Sequence, residues 1–307
     1  MVRGELNRRE WLRLAAGAGI TLLVRPVHGE DQKSVLQRKI PSSGEQIPAV
    51  GLGTSQVFDI GGGSERDAAK EVLRLFVENG GKLVDSSPMY GAAETVVGDL
   101  AAELGVQRKL FIATKVWTRG RDEGIRQMED SMRKLRTPRI DLMQVHNLLD
   151  LDTHLATLRE WKKAGKIRYL GITHSRDSAH GELERIVNAG GIDFVQLNYS
   201  MTERGAEQRL LPAAAAKGTA VIVNRPFARA NLFGRVRGKP LPDWAKEFDC
   251  ASWAQFFLKY ILAHPAVTVV IPATRDPKHL VDNMAAGRGR LPDEATRKRM
   301  VAHLESV

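Results

Sequence analysis

The chain has 307 residues, 43% of them hydrophobic and 27% charged, with a formal net charge of +10 and one cysteine. That balance fits a soluble globule with a real core and excludes a disordered chain or a membrane protein, while the lone Cys250 excludes an intramolecular disulfide and a thiolate metal site. The positive excess is spread among acids with no aromatic-basic stripe, so it favours small anionic ligands over nucleic acid.

In chain order, the first segment is "NRREWLRLAAGAGITLLVRPVHGEDQ", in which Arg8 and Arg9 precede Trp11, Leu12 and Arg13. An apolar run from Leu14 to Val24 and the helix-breaking Pro26 follow. A charged region, an apolar region and a breaker, in that order, make a secretory leader. The arginine pair with its aromatic, leucine and basic followers resembles the twin-arginine export signal. The run is too short to span a bilayer comfortably, so a leader over residues 1–29 cut after Gly29 is expected, without stable membrane insertion. The resemblance implies the twin-arginine export machinery as partner, a cytoplasmic stage before export, and a periplasmic or otherwise exported destination.

Residues 30–307 carry no linker or composition break and are expected to form a single domain. "KIPSSGEQIPAVGLGT" predicts a hairpin feeding a first strand. The G-x-G in it is no dinucleotide fingerprint, because no third glycine opens a helix. Gly61 to Gly63 lack the lysine and hydroxyl of a P-loop and are expected to be a flexible connection capped by Ser64. Helical and strand patterns then alternate, with strands at "KLVD", "LFIATK", "IDLMQVH", "IRYLGI", "DFVQLN", "TAVIVN" and "VTVVI". Parallel strands need crossovers, and eight strand–helix units in this length predict an α/β fold: a (β/α)8 TIM barrel with an N-terminal hairpin and a C-terminal extra helix near "PDEATRKRMVAHL".

Chemistry in such a barrel sits at the carboxyl ends of the strands. Asp85 ends the second parallel strand, Lys115 the third and His146 the fourth, while Tyr90 follows Asp85 on the loop "SSPMYG". A charge at a buried strand end needs a partner, and Lys115 is the natural one for Asp85. An ammonium beside a phenol stabilises the phenolate, so Lys115 is expected to lower the Tyr90 pKa. His146 is placed to donate to a carbonyl oxygen on which negative charge develops. The group suits carbonyl reduction. Asp150, Asp152 and His154 lack a fixed metal-ligand spacing, and Asp152 or Thr153 is the expected cap of the next helix. "DCASWAQFFL" is expected to be a buried helix with Cys250 as inert packing.

From "IPAVGLGT" to "DNMAAG" the chain resembles the aldo-keto reductases, whose Asp, Tyr, Lys and His tetrad matches Asp85, Tyr90, Lys115 and His146. "GLGT", Glu94 and Gly98 add to the match. The resemblance implies reduction of aldehydes or ketones by NADPH, or less often NADH, with Tyr90 as general acid and no metal. It also implies a nicotinamide contact at Gln196 and a phosphate segment at Thr274, Arg275, Lys278, His279 and Asn283. Two departures stand out: Thr173 and His174 occupy the place of the common Ser-Asn pair, and Asn224 that of the tyrosine which often stacks on nicotinamide. Asn224 can hydrogen-bond but not stack, and Arg225 is a candidate pyrophosphate ligand. Substrate contacts are expected from Phe58, Met89, Trp117 and Phe227 on loops overhanging the rim, in an open pocket. The alternative from another class is a nucleotide-binding or regulatory partner-binding barrel with little turnover.

Overall fold

The computed structural model describes residues 34–307; the expected leader over residues 1–29 lies outside them. The described chain opens with an antiparallel hairpin of β1 (Gln37–Lys39) and β2 (Gln46–Pro48), in which Arg38 lies opposite Ile47. Then strands and helices alternate: β3 (Leu52–Gly53), α1 (Ser64–Glu78), β4 (Leu83–Asp85), α2 (Ala93–Leu104), β5 (Phe111–Val116), α3 (Arg121–Lys134) and β6 (Ile140–His146). The series continues with α4 (Leu151–Lys163), β7 (Ile167–Thr173), α5 (His180–Ala189), β8 (Phe194–Asn198), α6 (Leu210–Lys217) and β9 (Ala220–Asn224). A short α7 (Asn231–Arg235), α8 (Trp253–Leu262), β10 (Val269–Val270), α9 (Pro277–Ala285) and α10 (Glu294–Ser306) complete it.

Strands β3 to β10 form one eight-stranded parallel sheet in sequence order, as the alternation requires. The sheet curls until its ends bond: the Gly51 amide donates to the Val270 carbonyl at 2.8 Å, and the Val270 amide donates to Ala49 at 2.9 Å. A Cβ on Gly51 would lie 2.9 Å from the Leu83 carbonyl oxygen, so glycine is needed where these strands crowd. Gly98 is a second such position, because a Cβ there would meet the Lys134 carbonyl oxygen at 2.0 Å and push α2 away from the end of α3.

Period-two alternation sorts the inward face by height. A small apolar cluster includes Leu83, Phe111, Leu142 and Phe194 from the amino ends of their strands, together with Ile40 and Ile47 of the hairpin region. Two or four residues further along the same faces come Asp85, Lys115, Gln144, His146 and Gln196, all buried. The lumen is thus dry below and polar above. The larger core packs the outer faces of the strands against the helices.

Three local expectations are corrected. Gly63, not Ser64, is the N-cap of α1; its φ of 68° is a conformation that glycine adopts without strain. Asp150, not Asp152 or Thr153, occupies the N-cap of α4. Cys250 precedes α8 rather than lying in a helix, and Ser252 caps that helix by accepting from the Gln255 amide at 3.0 Å. Between β9 and α8 the chain adds α7 and a 3-10 stretch, Asp243–Phe248, too short to show a helical period in the sequence.

Candidate active site

At the carboxyl end of the sheet, Lys115 Nζ donates to Asp85 Oδ2 at 2.6 Å and to the Ser86 carbonyl at 2.6 Å. Both charged side chains are buried. The other carboxylate oxygen, Asp85 Oδ1, accepts from Gln196 Nε2 at 2.8 Å and from Gln144 Nε2 at 3.2 Å. Thr54 fixes the turn by donating to the Asp85 carbonyl at 2.9 Å. The ion pair is therefore desolvated but multiply bonded, which is the condition under which a buried pair persists.

Tyr90 lies over this pair, with Lys115 Nζ 5.0 Å from its ring centroid. Burial pushes the Tyr90 phenol up, Lys115 pulls it down and Asp85 pushes it up again, and the net direction is upward. The expected lowering by Lys115 is thus corrected: desolvation outweighs the ammonium, and Tyr90 keeps its proton at neutral pH. Burial pulls Lys115 down, but Asp85 and Tyr90 more than offset it, so the net direction is upward and the ammonium stays charged.

His146 packs edge-on against Tyr90, ring centroids 5.9 Å apart, and its Nδ1 lies 3.0 Å from Ser87 Oγ. Burial, then Lys115 and His174, lower its pKa to about 3, so the imidazole is neutral through the physiological range. Asp85, Tyr90, Lys115 and His146 thus converge: a protonated phenol, a fixed cation and a neutral imidazole around one space.

The neighbouring rim offers groups for a nucleotide. Gln196 is wired into the protein, since its Oε1 accepts from Thr173 Oγ1 at 3.0 Å and from Asn224 Nδ2 at 3.3 Å while its amide nitrogen holds Asp85. The unused atoms belong to the two departures: His174 Nδ1 and Asn224 Oδ1 are buried without a hydrogen-bond partner. A carboxamide, with two donors and one acceptor, is a group that would satisfy them, so the residues present fit a nicotinamide. Arg225 donates to the Ser175 carbonyl, and its charge acts on Tyr90.

In the phosphate segment, Thr274 and Asn283 are buried, and Lys278 and His279 are exposed at the start of α9. Asp276 caps that helix through the Lys278 amide at 2.7 Å. Arg275 reaches across to the loop after β3, bonding the Gln56 carbonyl at 2.6 Å, and to the first turn of α1, bonding Glu65 at 3.3 Å.

Of the expected substrate residues, Trp117 is 38% and Met89 45% exposed, and the Trp117 ring lies 6.3 Å from that of His146. Phe58 does not overhang the rim; it is wholly buried in the core, a correction that follows from the chain turning inward after β3. Phe227 is half-buried against Phe233, 4.8 Å away, and Phe257. Asp150 and His154 do mechanical work on the Trp117 loop: Asp150 Oδ2 accepts from the Gly120 amide at 2.7 Å and His154 Nε2 bonds the Thr118 carbonyl at 2.8 Å. Gln127 holds the same loop by accepting from the Trp117 amide at 2.6 Å and donating to its carbonyl at 3.1 Å. Cys250 is buried and its thiol is pushed up to about 11 by burial, which keeps it unreactive.

Gln144, Ser87 and Gln127 were not singled out from the sequence. Gln144 carried a usable signal: it sits two residues before His146 in β6, so it faces the lumen with it.

The profile of the Aldo/keto reductase family matches residues 49–299. Methylglyoxal reductase YeaE of Escherichia coli is 29% identical over 258 residues, covering 81% of this chain and 89% of that protein. A crystal structure of an aldo-keto reductase from Klebsiella pneumoniae in complex with NADPH matches with a TM-score of 0.72 at 25% identity, covering 89% of this chain and 95% of that one. A second from Klebsiella pneumoniae, in complex with NADP and acetate, has a TM-score of 0.70 at 26% identity, covering 84% and 93%.

Proposed function

Because the chain belongs to the aldo/keto reductase family, we propose that it reduces aldehydes or ketones to alcohols with NADPH, Tyr90 serving as the general acid. The observation that carries the reading is the buried Lys115–Asp85 pair beneath a protonated Tyr90 and a neutral His146. When bound, NADPH supplies the hydride. The carbonyl oxygen sits between Tyr90 and His146, where the imidazole donates a hydrogen bond as charge develops. Tyr90 then gives its phenolic proton to that oxygen, and the Lys115 ammonium stabilises the phenolate left behind. Asp85 holds Lys115 charged and in place.

His174, Asn224, Thr173 and Gln196 form the nicotinamide side of the site in this proposal. Arg225 faces the pyrophosphate, and Thr274, Arg275, Lys278, His279 and Asn283 face the adenosine phosphate, with Arg275 leaving Glu65 to do so. Two basic side chains there favour NADPH over NADH. Met89, Trp117 and Phe227 border the substrate, a class that includes 2-oxoaldehydes by analogy with the Escherichia coli relative. The curled sheet is taken as a closed (β/α)8 barrel, in keeping with the bonds between Gly51 and Val270, and residues 30–307 as one domain.

The complete proton-transfer group favours the enzyme over the nucleotide-binding or regulatory barrel, although Asn224 cannot stack on a nicotinamide. The test is isotopic: with NADPH deuterated at the hydride position, one deuterium should appear on the carbinol carbon of the alcohol. An unlabelled alcohol, or none, would rule the reaction out.

The leader supports a further proposal, export of the folded protein through the twin-arginine machinery, with NADPH acquired in the cytoplasm before export. Arg8→Lys with Arg9→Lys should hold the protein in the cytoplasm; export unaffected by the double change would remove this reading.

A further inference from the structure

Ser87 is a wholly buried serine two residues beyond Asp85, and nothing in the proton-transfer scheme above uses it. Its Oγ lies 3.0 Å from His146 Nδ1 and accepts from the Met89 backbone amide at 3.2 Å. These two contacts constrain where the protons lie. A serine hydroxyl has one proton to give. If His146 carried its hydrogen on Nδ1, Ser87 Oγ would accept from both Met89 and the imidazole, and its own buried hydroxyl hydrogen would have no acceptor among the described residues. If Ser87 donates to Nδ1, every group is satisfied: Met89 gives to Oγ, Oγ gives to Nδ1, and the ring hydrogen sits on Nε2. Nε2 has no hydrogen-bond partner among the described residues, so it is the atom left to meet a ligand.

We propose that Ser87 is a positioning residue that fixes His146 as the Nε2–H tautomer, orienting the ring so that Nε2 donates to the substrate carbonyl. The inference rests on the reductase reading only for its consequence; the tautomer itself is a property of the protein. The surrounding chain supports the arrangement. Met89, whose amide anchors Ser87, precedes Tyr90 directly, so the loop that presents the phenol also sets the serine proton. One turn thereby orders both donors. The nearby cation that would compete is already occupied: Lys115 is held by Asp85 and the Ser86 carbonyl.

The test uses the full-length chain with histidine labelled in the ring with nitrogen-15. In the wild type, the His146 signals, assigned by their absence in His146→Gln, should report an unprotonated Nδ1 and a protonated Nε2. Ser87→Ala should give mixed tautomers and lower kcat on the order of tenfold, with KM for NADPH unchanged. Ser87→Thr, which keeps the hydroxyl, should restore the wild-type signals and most of kcat. A wild type with its proton on Nδ1, or a Ser87→Ala protein whose tautomer and kcat match the wild type, would overturn the proposal. A correct tautomer in a chain that turns over no carbonyl would leave this inference standing while removing the reductase reading.

Discussion

Gln196 Nε2 donates to Asp85 Oδ1 at 2.8 Å, so a residue on β8 secures a carboxylate on β4, far along the chain, while Lys115 occupies the other oxygen. Gln144 adds a longer bond to the same Oδ1, and its own Oε1 is buried without a partner. The two amides should therefore differ in worth. Gln196→Leu leaves Asp85 Oδ1 with only the longer Gln144 bond and strands Thr173 and Asn224, and should cost about 2–3 kcal/mol in urea unfolding. Gln144→Leu also removes an orphaned acceptor, and should cost no more than about 1 kcal/mol. Equal losses would contradict this division.

Lys115→Met leaves the Asp85 carboxylate buried and uncompensated. Breaking a buried pair in this way should destabilise the protein by about 3–5 kcal/mol, and turnover should fall with it. The double variant Lys115→Met with Asp85→Leu should recover much of the stability and none of the activity, read by calorimetry and assay together.

This much of the site was legible in the residues. Strand-end positions placed Asp85, Lys115 and His146 on one rim, because a strand's period of two and the βα alternation leave little freedom. The eight parallel strands followed from the same pattern. Less legible was anything that depends on competing energies. The Tyr90 pKa turns on desolvation against one ammonium, and that balance needs the burial of the folded state. Phe58 is apolar on a loop, and the pattern does not say whether such a ring faces the lumen or the core. The spacing of Gln144 from His146 puts it on the lumen face, but its bond to Asp85 and that of Ser87 to His146 join parts distant in the chain, which no local spacing encodes. The cap of α4 was misplaced by two or three residues because Asp150 takes the left-handed conformation, with φ of 50°, which asparagine and aspartate tolerate but do not announce.

A pH dependence follows from His146. Its folded pKa of about 3 lies below the ordinary 6.5, so between these values the unfolded chain binds more protons than the native one. Stability should therefore fall as pH drops from about 6.5 toward 3, with a contribution of up to ~1.4 kcal/mol per pH unit from this group. His146→Gln should flatten that part of the stability profile. An unchanged acid limb would mean that the imidazole protonates freely in the fold.

Trp117 is the exposed ring nearest His146, on a loop tied by Gln127, His154 and Asp150. Trp117→Ala should raise KM for aromatic aldehydes roughly tenfold, the worth of a lost apolar contact, and change KM for NADPH little. Gln127→Ala should give a smaller effect of the same kind by freeing the loop. Steady-state kinetics with a small and a bulky aldehyde separates the two.

The most direct measurement follows the loss of reduced-nicotinamide absorbance when NADPH and a panel of aldehydes and 2-oxoaldehydes are mixed with the wild type and with Tyr90→Phe. The account predicts turnover in the wild type and a loss of at least ~100-fold in the variant, with NADPH binding retained in both. Undiminished turnover in Tyr90→Phe would contradict Tyr90 as the acid, and NADPH binding without turnover in the wild type would contradict the reductase itself.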